Sequence, residues 1–221
     1  MTTEDIAKPL EVGAIEDAKK MKVKDKDGNE VTFGSLLEKQ DSIVVFIRHF
    51  FCGVNASLSL AHVNTIDSSA TYSQAFAEAL ASVRPEALEK ADKQLFLVGC
   101  GEPELIEYYH EKTGFKYPIY ADPKRAIFTK FGLVKNINIT PKGETKRSYL
   151  PTSMVMSTLT NLWRGPMHNP TYVGKQGHIP QNGGDFVFTK DGTCTFSWRM
   201  RHTQDHVEVA DLMREAGVEF P

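Results

Sequence analysis

The residues best suited to chemistry lie in the stretch SIVVFIRHFFCGVNASLS, Ser42 to Ser59. An apolar run ends in Arg48-His49-Phe50-Phe51 and then a thiol, Cys52. Ile43 to Ile47 is continuous and rich in β-branched residues, the pattern of a strand buried on both faces in a parallel sheet. A cysteine just past the C-terminal end of such a strand stands where open α/β sheets bind ligands. A helix starting there would turn its N–H groups and dipole on the sulfur and favour the thiolate. Arg48 adds positive charge and His49 a proton acceptor. The thiolate is the nucleophilic form, so this placement suits covalent or redox catalysis with Cys52 as nucleophile and Arg48 as its electrostatic support. The competing reading is a plain buried cysteine, since free cysteine is among the most buried residue types. Arg48 likewise has an alternative, simple pairing with a carboxylate. Asn55 occupies the position where a redox Cys-x-x-Cys would hold its second thiol.

Only two further cysteines exist, Cys100 and Cys194. Three scattered cysteines make neither a disulfide framework nor a zinc site. Cys100 ends QLFLVGC, which reads as the parallel neighbour of the Cys52 strand. Adjacent strands run about 4.8 Å apart, so the two cysteines come near the roughly 4.4–6.8 Å Cα separation that a disulfide needs. Cys100 is thus a possible resolving thiol, or buried packing. Cys194 sits in a hairpin at the opposite edge and reads as inert. His49 and Cys52 have no companions at metal-ligand spacing. Gly183-Gly184 precedes a strand and not a helix, so it is no phosphate loop. No G-x-S-x-G elbow supports a hydrolase. No cofactor and no metal are expected.

These residues need a scaffold, and the chain has the length for one. It has 221 residues, 41% of them hydrophobic, enough for one sizeable core. Net charge is −2, with the charges mixed along the chain, which argues against a nucleic-acid surface. No apolar run approaches the roughly 20 residues of a membrane span, and the N-terminus lacks a secretory h-region. A reducing, cytoplasmic setting follows. There Asn55-Ala-Ser and Asn138-Ile-Thr are chance matches to the glycosylation pattern.

Residues 1–25 read as a polar extension or short helix, and residues 26–221 as one domain. A turn at Asp27-Gly28 leads into a short strand at Val31, then a short helix from Ser35. Helix is predicted over 74–92 with a break at Pro85. Strand follows at Gln94–Cys100, helix at Glu102–Thr113 with Gly114 as its cap, strand at Tyr117–Tyr120, and helix at Pro123–Phe131. Met154–Trp163 reads as a helix, and the Gly- and Pro-rich stretch after it as a long loop. A hairpin spans Asp185–Thr189 and Thr193–Arg199. A final helix covers Val207–Ala216, with Asp205 as its N-cap. Arg199 and Arg201 read as a solvated, basic strand face. The alternation of strand and helix in the middle of the chain predicts an α/β fold.

Several separated motifs now line up in order. VVFIRHFFCG resembles the active-site strand and turn of the peroxiredoxin-like-2 branch of the alkyl hydroperoxide reductase/thiol-specific antioxidant (AhpC/TSA) superfamily. LFLVGCGEPELIEYYHEKTGFKYPIYADPKRAIFTKFGL is similar to that branch's next strand, glycine turn, helix and Asp-Pro segment. IPQNGGDFVFTKDGTCTFSWRMRHTQDH resembles its Gln-x-Gly-Gly-x-Phe strand, hairpin and Asp-His. The resemblance covers roughly residues 28–53 and 74–217. It implies a thioredoxin-like fold, a central mixed sheet flanked by helices with a C-terminal β-hairpin and helix. It also implies reduction of a peroxide or endoperoxide, with a thioredoxin-like protein or glutathione as thiol reductant.

Two departures bear on activity. The branch usually carries Cys-x-x-Cys, and here the text is Cys52-Gly53-Val54-Asn55. The matching helix text begins about twenty residues late, at Gln74, after VNASLSLAHVNTIDSSATYS. Residues 54–73 are thus an insertion over the site, an extension of the active-site helix, or a gene-prediction artefact such as a retained intron; composition favours the first and third. Ser73 or Asn55 then stands in place of the second cysteine. The Thr and Pro of the typical peroxiredoxin Pro-x-x-x-Thr-x-x-Cys motif are also missing, with Val45 and His49 at those places. Two functions follow as expectations: a one-cysteine oxidoreductase, or a thioredoxin-fold binding protein that has lost catalysis.

Overall fold

The computed structural model describes residues 6–50, 69–150 and 174–220. Its frame is a seven-stranded mixed sheet in the order β2-β1-β5-β4-β3-β6-β7. β3 (Asp41–Ile47) and β4 (Lys93–Gly99) are parallel, in register from Asp41↔Lys93 to Ile47↔Gly99. β5 (Ile119–Ala121) continues the parallel half beyond β4. β6 (Gly184–Phe188) runs antiparallel along the other side of β3, and β7 (Cys194–Arg199) antiparallel along β6. A hairpin of β1 (Lys22–Lys24) and β2 (Glu30–Thr32) joins β5 through Lys24↔Ala121.

Strand β3 is buried from Ser42 to Ile47, as its unbroken apolar run requires. Ile43, Val45 and Ile47 face one core with Phe76, Leu80, Tyr109 and Leu212. That face is covered by α3 (Ser69–Leu80), α4 (Pro85–Lys90), α5 (Ile106–Thr113) and α7 (Val209–Glu215). Val44 and Phe46 face a second core. It is covered by α1 (Val12–Lys19), α2 (Phe33–Leu37) and α6 (Ala126–Lys130). Phe46 stands at the centre of this layer, its ring centroid 5.1 Å from Phe128, 5.4 Å from Phe131 and 5.6 Å from Phe186. The three contacts are edge-on or nearly so, the arrangement aromatic quadrupoles favour.

The α/β alternation and the thioredoxin-like architecture agree with the sequence reading, with differences at particular elements. α3 begins at Ser69, five residues before Gln74, so the end of the 54–73 stretch is helical. Pro85 does not kink one helix but opens a second, at the first-turn position where a missing N–H is harmless. Asp205 does not cap the last helix; Glu208 holds that position, and the Asp205 carboxylate binds Arg201 and Arg147 instead. Arg199 is not on a solvated face. It is buried, with Nε donating to the Phe131 carbonyl (2.7 Å) and Nη1 to those of Lys8 (2.7 Å) and Ile6 (3.2 Å). The N-terminal segment lies along β7, so the outer face of this edge strand is covered. The expected helix at Met154–Trp163 and most of 54–73 lie outside the described residues.

Replacing Phe46 by alanine removes the hub of the aromatic layer. Phe46→Ala is expected to lower unfolding free energy by about 3–5 kcal/mol, read as a lower urea midpoint with an unchanged m-value.

Candidate functional site

The C-terminal ends of β3 and β4 meet a returning segment, residues 175–182. Arg48, the first residue past β3, is fully buried. Its Nη2 donates to the Ile179 carbonyl (2.8 Å) and its Nε to the Gln181 carbonyl (3.3 Å). The Arg48 carbonyl in turn accepts from Cys100 Sγ at 2.5 Å. Beside it, Phe50 N donates to the Gln176 carbonyl (3.3 Å) and Glu102 N to that of Lys175 (2.8 Å). Gln181, also fully buried, donates through Nε2 to Leu133 (3.2 Å) and Val134 (3.3 Å). Backbone approach here is so close that Gly177 and Gly183 admit no side chain. A Cβ on Gly177 would meet the Cys100 carbonyl oxygen at 2.6 Å, and one on Gly183 would meet the Phe46 oxygen at 1.8 Å. That contact accounts for the first glycine of the Gly183-Gly184 pair.

Cys100 follows β4 directly, as its parallel pairing with β3 requires. Burial pushes its thiol up to about 11, against the weaker opposing pull of the His178 carbonyl and of Arg125 and Arg48. Cys194 is half-buried; burial raises it too, to about 11, and its Sγ lies 3.1 Å from the Phe196 carbonyl. Both are therefore protonated thiols near neutral pH. Cys52 and Asn55 lie outside the described residues, and so does any pairing of Cys100 with Cys52. Ser73 is buried on α3, where its carbonyl accepts from the Tyr109 hydroxyl (3.1 Å).

Sequence reasoning missed a buried pair on the same face as Val45. Asp185, opposite Val45 in the ladder, holds His206 Nδ1 at 2.8 Å through one oxygen. Its other oxygen accepts from Val207 N at 3.0 Å. The His206 ring stacks on Phe76, 4.2 Å between centroids. The signal was present: a carboxylate inside the apolar strand GDFVF must find a donor.

A second polar cluster surrounds Asp205. Glu144, His202 and Asp205 bring ligand-type atoms within 4.8 Å of one another. The cationic place is filled by the chain itself. Arg201 bonds both carboxylates, and Arg147 lies 3.1 Å from Asp205. Burial alone would raise the Asp205 carboxyl, but the bonds from Arg201 outweigh it and hold the group below the usual range.

With this geometry in place, comparison with known proteins is decisive. A family model described as AhpC/TSA antioxidant enzyme matches residues 79–202, more than half of the chain. The chain belongs to the AhpC/TSA family. Mouse peroxiredoxin-like 2C is 28% identical over 200 residues, covering 89% of this chain and 77% of its own. The human protein of that name is 26% identical over 218 residues, covering 97% and 84%. Among solved structures, the peroxidoxin BcpB of Mycobacterium tuberculosis superposes with a TM-score of 0.50 at 10% identity, covering 96% of each chain. That likeness supports the fold alone. Among the described residues, no helix is long and apolar enough to cross a membrane.

Two outcomes follow from these contacts. Arg48→Met strips the donors from Ile179 and Gln181, and trypsin should then cut after Lys175 faster than in the parent chain, as seen by timed mass spectrometry. Asp205→Asn should lower stability by about 3 kcal/mol at pH 7, as expected when one partner of a buried pair is removed. Because the folded Asp205 pKa is depressed, its contribution is complete above the unfolded value near 3.9 and is lost as pH falls through the folded value. The gap between parent and variant should therefore narrow in acid, measured by urea unfolding from pH 7 down to pH 3.

Proposed function

We propose that this chain is a thiol-dependent, peroxiredoxin-like oxidoreductase whose nucleophile is Cys52. The observation that carries the reading is the end of β3. The chain belongs to a family of antioxidant enzymes, and in the sequence Cys52 follows Arg48-His49-Phe50-Phe51, a run that begins directly after the last residue of β3, Ile47. The alternatives are poor nucleophiles, since the Cys100 and Cys194 thiols are both pushed up to about 11.

In the proposed reaction the Cys52 thiolate attacks one oxygen of a peroxide. An S–O bond forms as the O–O bond breaks, and the leaving oxygen takes a proton to become an alcohol or water. The sulfur is now a sulfenic acid. One external thiol, from glutathione or a thioredoxin-like protein, displaces water to give a mixed disulfide. A second thiol then attacks that disulfide and returns Cys52 as thiolate. In this reading Arg48 is the electrostatic support of the thiolate, and its guanidinium also anchors the returning segment. Cys100 is the internal alternative for resolution, with a thiol held back by burial. A cytoplasmic setting suits this chemistry.

A second reading rests on Asn55. With no second cysteine at that position, the chain would be a thioredoxin-fold binding protein without turnover. The rate of Cys52 alkylation against pH separates the two, with Cys52→Ser as the control. The enzyme reading expects a midpoint well below the reference near 8.5, and peroxide consumption when glutathione or thioredoxin is added. A Cys52 no more reactive than Cys100 leaves only the binding reading.

A further inference from the structure

The end of β4 carries a second concentration of charge. Asp122 N donates to the Gly99 carbonyl (2.8 Å) and Arg125 N to that of Asp122 (2.9 Å), so the turn after β5 sets Arg125 beside the end of β4. Asp122 does not pair with the Arg125 guanidinium. Its carboxylate oxygens accept instead from Ala126 N (3.1 Å) and Ile127 N (2.9 Å). Among the described residues no other carboxylate pairs with Arg125 either, and its Nη1 is enclosed with no hydrogen-bond partner. An enclosed guanidinium nitrogen without an acceptor is costly.

Two more basic groups come to the same place. The His178 carbonyl lies 4.0 Å from Cys100 Sγ and accepts from Gln181 N (2.9 Å). Gln181 is bridged to Lys135. His178 and Lys135 are exposed, and Arg125 is half-buried. Their fields are felt locally. Although His178 reaches solvent, partial desolvation first, then the charges of Arg125 and Lys135, hold its imidazole below its ordinary range. The titratable groups around it are Arg125, Lys135 and the buried Cys100, with Arg48 and the buried Asp122 carboxyl also acting on Cys100.

The backbone at Arg125 makes a further point. Its φ is +56°, in the left-handed region that glycine adopts without strain. The turn itself does not call for an arginine. A planar fork of donors, with an imidazole on the neighbouring returning segment and an ammonium on the residue bridged to that segment, suits a planar or tetrahedral oxyanion.

We propose that Arg125, with His178 and Lys135 beside it, forms a binding site for the oxyanion of a small molecule, a carboxylate or a phosphate, at the C-terminal end of β4. The proposal does not depend on Cys52 being catalytic. The test is a titration of the full chain, with the His178 imidazole followed by carbon-13 NMR and ionic strength held constant with chloride. Inorganic phosphate and acetate are the two probes. The expected result is a saturable shift with at least one of them and a higher His178 midpoint when it is bound, since a bound anion favours the protonated ring. A response to acetate assigns a carboxylate ligand, and a response to phosphate alone a phosphate. Arg125→Gly should weaken that binding by about tenfold or more, as loss of a charge-assisted fork implies, while the melting temperature holds or rises. Absence of saturation with both probes overturns the proposal. So does undiminished binding in Arg125→Gly, or a lowered melting temperature in that variant, which would make the arginine a structural element of the turn.

Discussion

The buried guanidinium of Arg48 is the contact on which the site end of this molecule depends. A guanidinium cannot lose protons at any relevant pH, so once enclosed it must be met by acceptors. Here the main chain supplies them, through the carbonyls of Ile179 and Gln181. The charge therefore dictates where a segment some 130 residues further along must lie. That segment leads into β6, so the same contact helps set the antiparallel pairing of β6 with β3. It also closes the ends of β3 and β4 over Cys100, which is why that thiol is apolar in behaviour and poorly ionised. One arginine thus links strand order, the placement of the returning segment and the burial of a cysteine.

The same economy appears across the sheet. β3 has no solvent side, and its odd and even residues feed two separate cores. Any polar residue admitted to the neighbouring strands must then be matched internally. Asp185 meets that demand with His206 and the Val207 amide, which fixes the entry to the last helix. Asp205, buried in the loop after β7, is likewise met by two arginines. These buried pairs add little net stability compared with apolar packing, but each removes alternatives for how the C-terminal hairpin and helix can dock.

What could be read from the sequence follows from how local each cause is. The buried strands β3 and β4 declared themselves by unbroken apolar runs. The helix ends at Gly114 and Gly217 declared themselves by glycines that do adopt positive φ. Strand β1 was hidden because Lys22-Val23-Lys24 is three residues long and charged on its exposed side. The roles of Arg48 and Arg199 were partly hidden for another reason. Both are buried charges whose described acceptors are main-chain carbonyls, and a carbonyl partner leaves no residue type in the sequence to match against. Arg125 was invisible for the opposite reason, since what distinguishes it is a missing partner and a backbone angle.

The grip of Arg199 on Ile6 and Lys8 has a consequence in the order of synthesis. The partners are separated by 193 and 191 positions in the chain. At about 5–20 residues per second, the N-terminal strap leaves the ribosome roughly ten to forty seconds before the arginine that fastens it. Throughout that interval the first segment has no edge strand to cover, and β3 has no antiparallel neighbour. The central strand pair must wait as a half-built sheet with one open margin. The last hairpin to emerge both supplies the missing strands and ties down the first residues made, so this end of the sheet closes only after nearly the whole chain has been translated.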